Sequence, residues 1–437
     1  MSTQERGLNA SQPQENQPPK EVLLDNTHAL LAPGQGNQRI GMGSDLASRS
    51  EAAAGVWRRV DDLLRPDLGY SLSEKVWRGS AADISDNAQL AIITDALARK
   101  AALEESGLLE NPPGWHAGNS LGFITALVNV GALSMEGAAH LARGRTEAFR
   151  LVTNGEIKTT MVSLVDVNEG ITQEIVEKHN LVICLINNDR QVVVGGTVEN
   201  IEDAKKNLKD EYQLEKDNVF PMGVNAAYHS RYMEPALPFW TEVVNSAPIE
   251  EPKSGIVVGG STVKKLLTPE DIRTELIIQL TNTERYADVV RFLRAQGVTK
   301  MTELNGIGRL SHINKDLFGE GSRERITLLE GKTIVGHRWV APAIPDEVSE
   351  KPVAETVSRD SIQRFYYEWV SNRAGIDPEE VSEDMSFTEG AGLDSEDLKA
   401  LRAALRAEYG RNVSDEEAAQ ILTIGAGIDA TYKLMNS

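Results

Sequence analysis

The chain of 437 residues has one cysteine, Cys184. A lone thiol excludes a disulfide within the chain and any cysteine-based metal site, so no metal is expected. It fits a reducing compartment, and a cytoplasmic location is expected. No apolar run approaches the ~18 residues that a membrane span needs. The N-terminal stretch MSTQERGLNASQPQENQPPKE has no apolar core, so no secretory signal is expected. Its Gln, Asn and Pro content predicts a disordered tail over residues 1–22. No internal repeat is present. Cationic charge is also scarce: 45 Lys and Arg face 65 Asp and Glu, a formal net charge of −20. That balance argues against nucleic acid or an anionic membrane as partner. The acid excess is uneven. Residues 358–437 carry 16 Asp and Glu against 8 Lys and Arg, which points to a separate acidic module.

What is present reads as an α/β protein of roughly two to three domains. THALLA (27–32) is a strand entering the glycine-rich turn PGQGNQRIGMG. Helical spacing follows over 46–64, 86–107 and 135–152, and the apolar stretch 114–133 runs through a serine turn into a helix. At about 155–225 the rhythm changes to β-α-β-β-α-β, the order of a ferredoxin-like subdomain, with a turn at Asn188-Asp189. Helices resume at 270–280 and 286–297, and KMTELNGIG is a strand into a glycine turn. The Pro- and Glu-rich stretch 339–357 reads as a linker. Beyond it, three or four short helices around a long polar loop predict a small all-α bundle over 358–437. Leu398, Leu401 and Leu405 form one apolar stripe there.

The chemistry concentrates at Gly118-Asn119-Ser120-Leu121-Gly122. Glycines at G-x-S-x-G spacing let a strand turn sharply into a helix, which pushes the serine hydroxyl out of the sheet. The next N–H then sits at a helix N-terminus, where it can hold an oxyanion. Such a serine needs a base within reach. Of seven histidines, His229 stands out, directly after the ferredoxin-like stretch. His28 and His116 fall at strand ends and His140 on a helix, while His179, His312 and His337 fall in polar surroundings. The PGQGNQRIGMG turn is not a dinucleotide loop: Arg39 stands where that fingerprint needs glycine, and no GK[ST] follows.

Over about residues 27–330 the ordered motifs resemble the malonyl-CoA:acyl carrier protein transacylase family. They are Pro33-Gly34-Gln35-Gly36, Gly41-Met42-Gly43, Gln89, the elbow around Ser120 with GALS at 131–134, Arg145, Asn188 to Gly195, Ala227-Tyr228-His229-Ser230 with Met233, and Gln279. The resemblance implies an α/β-hydrolase-like large subdomain with an inserted ferredoxin-like subdomain. It implies Ser120 as nucleophile, His229 as base, and the backbone N–H groups of Leu121 and Gln35 as oxyanion hole. Arg145, with Gln89 beside it, would bind the carboxylate of malonyl-CoA. The Gln279 carbonyl, not a carboxylate, would orient the histidine. Arg143 is the rival for the arginine role, on another helix face. Three departures bear on selectivity. Asn119 replaces the usual histidine, Phe123 replaces the usual Glu and is expected near the site mouth, and Asn305-Gly306-Ile307-Gly308 replaces Gly-Pro-Gly. Tyr228 is bulky, which leans towards unbranched malonyl.

The C-terminal stretch resembles an acyl carrier protein, with Gly392-Leu393-Asp394-Ser395 as its attachment motif. The resemblance implies 4′-phosphopantetheine on Ser395, added by a separate phosphopantetheinyl transferase. Glu396 stands where such carriers usually have an apolar residue. The expected division is a tail (1–22), an acyltransferase domain (23–338), a linker (339–357) and a carrier domain (358–437). The expected partners are a coenzyme A thioester, an acyl carrier protein (its own or a separate one) and ketosynthase-type enzymes, in fatty acid or polyketide assembly. Alternatives are an editing acyl-thioester hydrolase, a transferase for another acyl group, or a non-catalytic carrier and docking protein.

Overall fold

Leu30 faces one side of its strand and Ala29 and Leu31 face the other, and both sides are buried. This strand, β1 (Asp25–Ala32), is central in a six-stranded sheet. The structure is a computed structural model that describes residues 23–305 except 37, 110, 213 and 215–217. It also describes 310, 313, 314, 317, 326, 327, 358–374, 380–387, 390, 391, 393, 398, 401, 405, 409 and 423–435. The expected tail, the linker, His312, His337, Gly306-Ile307-Gly308, Ser395 and Glu396 lie outside the described residues.

Helices α1 (Ser44–Ala47), α2 (Glu51–Leu68), α3 (Leu72–Arg78) and α4 (Ala81–Glu105) connect β1 to β2 (Pro113–Gly118). The helix expected over 46–64 is interrupted: the Ser50 side chain accepts the Ala53 N–H and starts α2 there. The helix expected from residue 86 begins at Ala81, because Ser80 and Asp83 form a capping box. After β2 come α5 (Gly122–Asn129) and α6 (Met135–Thr153).

The inserted unit follows as β3 (Thr159–Val165), α7 (Glu169–Lys178), β4 (Val182–Ile186), β5 (Gln191–Thr197), α8 (Val198–Tyr212) and β6 (Val219–Pro221). Its sheet has the order β4-β5-β3-β6, antiparallel throughout, as a ferredoxin-like unit requires. Val162, Leu164 and Val194 face α7 and α8, while Met161, Cys184 and Val193 face Ala227, two residues before His229.

The chain returns through a 3₁₀ turn (Arg231–Ala236), α9 (Leu237–Ser246), β7 (Ile256–Val258), β8 (Lys265–Leu266), α10 (Pro269–Thr281), α11 (Tyr286–Ala295), β9 (Lys300–Glu303) and β10 (Ile326–Thr327). The large sheet has the order β10-β9-β1-β2-β7-β8 and is parallel except for the β7–β8 pair. The chain leaves β1 for β2 on one side and later adds β9 on the other. The strand order therefore reverses between β1 and β9, and the carboxyl end of β1, next to that of β2, borders a switch point, where open α/β sheets bind ligands.

The C-terminal unit contains α12 (Arg359–Ala374) and α13 (Ile424–Met435). Leu401 and Leu405 are buried with Ile362, Tyr366, Phe387 and Ile428, and Leu398 packs against them, so the leucine stripe faces the core of this unit. Arg359 ties α12 to Glu383 and to Asp429 of α13.

The turn from β2 into α5 is set by backbone contact. A Cβ on Gly118 would lie 2.0 Å from the Gly122 carbonyl carbon, and a Cβ on Gly122 would lie 2.1 Å from the Ala32 carbonyl oxygen of β1. Neither backbone can retreat without shifting the sheet. Gly122→Ala is expected to cost roughly 2–3 kcal/mol by overpacking. Urea unfolding followed by circular dichroism reads this as a lowered midpoint; an unchanged midpoint would mean that the elbow leaves room above β1.

Candidate active site

Ser120 leaves the end of β2 with φ 52°, in the left-handed region that a serine rarely adopts. His229 has the same unusual backbone, with φ 57°. Both are held by their surroundings. Asn119 N–H donates to the Ala32 carbonyl and Ala227 N–H donates to Thr159 Oγ1. Two strained backbones that face each other are a common mark of a functional site.

The two side chains meet. Ser120 Oγ and His229 Nε2 are 2.7 Å apart, and His229 Nδ1 lies 2.8 Å from the Gln279 carbonyl oxygen. A carbonyl only accepts, so Nδ1 carries the proton and Nε2 is left as the acceptor for the serine hydroxyl. Burial, with the Arg145 charge adding to it, holds the imidazole down to about 3, against a partial upward effect of the Gln279 carbonyl. His229 is thus a neutral base across the physiological range.

Arg145 lies on the buried face of α6 and is 5% exposed. Its Nη2 donates to Ser120 Oγ at 2.7 Å, and its Nη1 donates to Gln35 Oε1 at 3.2 Å and, more weakly, to Gln89 Oε1 at 3.5 Å. The guanidinium lies over the Phe149 ring, 4.5 Å from its centroid, and Phe149 in turn stacks on Tyr228. Among the described residues no carboxylate forms a salt bridge with it. Burial lowers its pKa to about 10, so it stays charged. A buried, unpaired cation beside a nucleophile favours an anionic ligand. Arg143 sits on the outer face and pairs with Asp67 at 3.0 Å, which removes it as the rival.

The Leu121 N–H starts α5 and has no hydrogen bond among the described residues, while Gly122, Phe123 and Ile124 bond back to residues 119–121. The side chain of Gln35, three residues beyond the end of β1, meets Arg145. Ser120, Leu121, Gln35, Arg145, Gln89, His229 and Gln279 are therefore brought together. Phe123 is not at the mouth. It is fully buried in the main core, because the first turns of α5 pack wholly inwards. The other described histidines are elsewhere. His28 bonds Thr302, His116 bonds the Pro113 carbonyl and His140 bonds the Val243 carbonyl. His179 is buried, not solvated, and bonds Asp203.

One site residue has no signature in the sequence. Glu284, in the polar stretch Thr281-Asn282-Thr283-Glu284-Arg285, is fully buried and accepts the Ser120 N–H at 3.1 Å. Its signal is spatial only.

A serine and a neutral histidine under a parallel sheet, with an unpaired arginine at the serine, define a nucleophilic acyl-transfer site. The chain belongs to the acyl transferase domain family, whose model matches residues 30–285. A second model, the phosphopantetheine attachment site, matches residues 368–429. The chain is 31% identical over 286 residues to a malonyl CoA-acyl carrier protein transacylase of Bacillus subtilis, covering 63% of this chain and 86% of that protein. It is 26% identical to the polyketide biosynthesis malonyl CoA-acyl carrier protein transacylase PksC of the same species, covering 65% and 96%. It spans 34% of the longer polyketide biosynthesis protein PksE, at 27% identity. The crystal structure of an acyl-carrier-protein S-malonyltransferase from Bartonella henselae superposes with a TM-score of 0.60 at 26% identity, covering 66% of this chain and 92% of that one.

Because His229 protonates only near pH 3, Ser120 is expected to keep its reactivity on acidification. The base works when neutral, and neutrality is lost only below about pH 4. Labelling of Ser120 by a fluorophosphonate, read by mass spectrometry, should have the same rate at pH 6.5 and pH 5. A roughly fifteenfold fall between the two, as an ordinary histidine near 6.5 would give, would contradict this reading.

Proposed function

We propose that the chain moves a malonyl group from malonyl-CoA, through an ester on Ser120, to the thiol of an acyl carrier protein, in fatty acid or polyketide assembly. The observation that carries this reading is Arg145: a buried cation with no carboxylate salt bridge among the described residues, bonded to the Ser120 hydroxyl. An incoming malonyl carboxylate supplies the missing anion and draws Nη2 from Ser120 Oγ to itself. A planar guanidinium holds a carboxylate by two parallel N–H bonds. An acetyl group offers no such exchange.

In the first half-reaction Ser120 Oγ attacks the thioester carbonyl and His229 Nε2 takes the hydroxyl proton. The Leu121 and Gln35 N–H groups hold the oxygen that becomes negative. Collapse breaks the carbon–sulfur bond, and His229 returns the proton to the leaving sulfur. In the second half His229 deprotonates an acceptor thiol, which attacks the Ser120 ester, and the proton ends on the serine oxygen. The Gln279 carbonyl steadies the imidazolium formed in each half. The phosphopantetheine group, when carried by Ser395, supplies the acceptor thiol. A serine hydroxyl suits the phosphodiester this needs, and Leu393 and Leu401 on either side in sequence are buried in the carrier core.

The same reading divides the chain into a tail (1–22), an acyltransferase domain (23–338) with its insert at 155–225, a linker (339–357) and a carrier domain (358–437). It places the protein in the cytoplasm, with a phosphopantetheinyl transferase to modify Ser395 and a ketosynthase-type enzyme as consumer. Linkage raises the local concentration of the carrier thiol if the linker spans the two sites.

Intact mass of the holo-protein after incubation with malonyl-CoA tests this. Wild type is expected to gain malonyl at Ser120 and at the carrier. Ser120→Ala is expected to lose both, and Ser395→Ala only the second. Free malonate without a Ser120 adduct would replace transfer with hydrolysis. Arg145→Ala is expected to slow acylation by malonyl-CoA roughly a hundredfold without slowing acylation by acetyl-CoA. An equal loss for both thioesters would remove the carboxylate-binding role.

A further inference from the structure

We propose that Glu284 is a positioning residue of this site: its buried carboxylate fixes the backbone of the nucleophile and, through Gln279, stabilises the imidazolium that forms on His229. The proposal rests on the acyl-transfer reading above.

The backbone of Glu284 extends the edge of the small subdomain. Its N–H donates to the Cys184 carbonyl and its carbonyl accepts the Ile186 N–H, both at 2.9 Å, so it pairs with β4. Its side chain turns the other way, to the elbow. Oε1 accepts the Ser120 N–H and Oε2 accepts Gln279 Nε2, both at 3.1 Å. Gly260 makes room for it: a Cβ there would lie 2.2 Å from Oε1. One carboxyl group thus joins the serine of the large subdomain, the residue whose carbonyl holds His229, and the edge of the inserted sheet.

Both oxygens receive N–H donors. That is the hydrogen-bonding pattern of a carboxylate, since a protonated acid needs an acceptor for its own O–H. Burial opposes the charge. It pushes Glu284 up to about 8, Glu275 on α10 adds to the rise, and the Ser120 N–H, the Gln279 amide and Arg145 on α6 oppose it. The Cys184 thiol of β4 is itself pushed up by burial and stays neutral, as does His229. Glu284 therefore changes charge in a range where the base does not. In its ionised form it places an anion behind the Gln279–His229 pair, against the opposing charge of Arg145, at the moment His229 becomes cationic. Glu275 is a contrast. It is equally buried, but its oxygens are taken up by the Ser261 and Thr262 N–H groups and the Thr262 hydroxyl, and by no group of the site.

The test is the second-order rate of Ser120 acylation by malonyl-CoA, measured on the full chain by rapid quench and intact mass from pH 5.5 to 9.5. Following acylation alone keeps the acceptor thiol out of the profile. Wild type is expected to rise roughly tenfold through one ionisation near pH 8, the factor that one pKa unit of imidazolium stabilisation corresponds to. Glu284→Gln is expected to be flat at the low-pH rate, with KM within about twofold. Glu275→Gln removes a like charge and is expected to move the rise to lower pH. A flat wild-type profile, a Glu284→Gln profile that keeps the rise, or a rise that Glu275→Gln leaves in place would each overturn the proposal. The first and third need no stable Glu284 variant. No adduct at any pH would overturn the transferase reading as well; an adduct with a flat profile would overturn only this one.

Discussion

Arg145 is a charge buried without a salt bridge among the described residues, and the rest of the site is arranged around it. Its partners are neutral: the Ser120 hydroxyl, the Gln35 and Gln89 amides and the face of Phe149. Neutral partners keep an ion in a dry place at a cost, and a carboxylate ligand removes that cost. The same charge lowers the basicity of His229 and Nη2 occupies a lone pair of Ser120 Oγ. In the empty site the arginine thus quiets both members of the reactive pair. A ligand that takes the arginine frees both. In the role proposed for Arg145, recognition of a carboxylate and readiness of the nucleophile are one event, which disfavours acyl groups without a distal carboxylate and disfavours idle attack by water.

That arrangement depends on a backbone that does not yield. Ser120 and His229 both have positive φ, a conformation that costs about 1–3 kcal/mol for a residue with a side chain. The cost is offset by contacts around them. Gly118 and Gly122 pack backbone on backbone against each other and against β1, and Ala227 is pinned by Thr159 of the inserted sheet. The α11 cluster on one face of the sheet and the cluster of Leu30 with Ala96 and Leu103 of α4 on the other bury β1 on both sides. A parallel sheet covered on both faces gives such a turn a close-packed mount.

Much of this was legible in the sequence, and the reasons differ by residue. The elbow was readable because two glycines at fixed offsets are required by close backbone approach, which few residue types satisfy. The βαββαβ order was readable because strand and helix periods alternate cleanly over 159–221. The leucine stripe of the C-terminal unit was readable for the same reason, from helical spacing. Helix starts were misplaced where a polar side chain overrode the apolar pattern: Ser50 splits one helix and Ser80 with Asp83 extends another. Phe123 was placed at the mouth because it follows the elbow closely in sequence, yet the side chains of Leu121 and Phe123 both turn into the main core and only the Leu121 N–H is left towards the site. Glu284 was invisible. A lone acid in a polar turn reads as solvated surface, and only the pairing of that turn with β4 drives it inside.

The reactive pair is assembled across a boundary. Ser120 belongs to the large sheet, His229 follows the last strand of the inserted unit, and Gln279 ends a helix of the large subdomain. A pair split in this way keeps its 2.7 Å contact only if the two units hold a fixed register. The Glu284 segment supplies a direct tie, with its backbone on β4 and its side chain on the elbow and on Gln279. A wedge of apolar side chains would hold the units together equally well, but it would carry no charge and make no directional bond to the Ser120 N–H. A carboxylate does both, and its burial makes that charge responsive. The same group that aligns the nucleophile is then placed to sense what happens on the histidine, because every proton that reaches His229 Nε2 strengthens the Nδ1–H bond to Gln279 and, behind it, the attraction to Glu284. Rigid assembly of a split pair and electrostatic support of its reaction follow from one side chain that the packing could have made apolar.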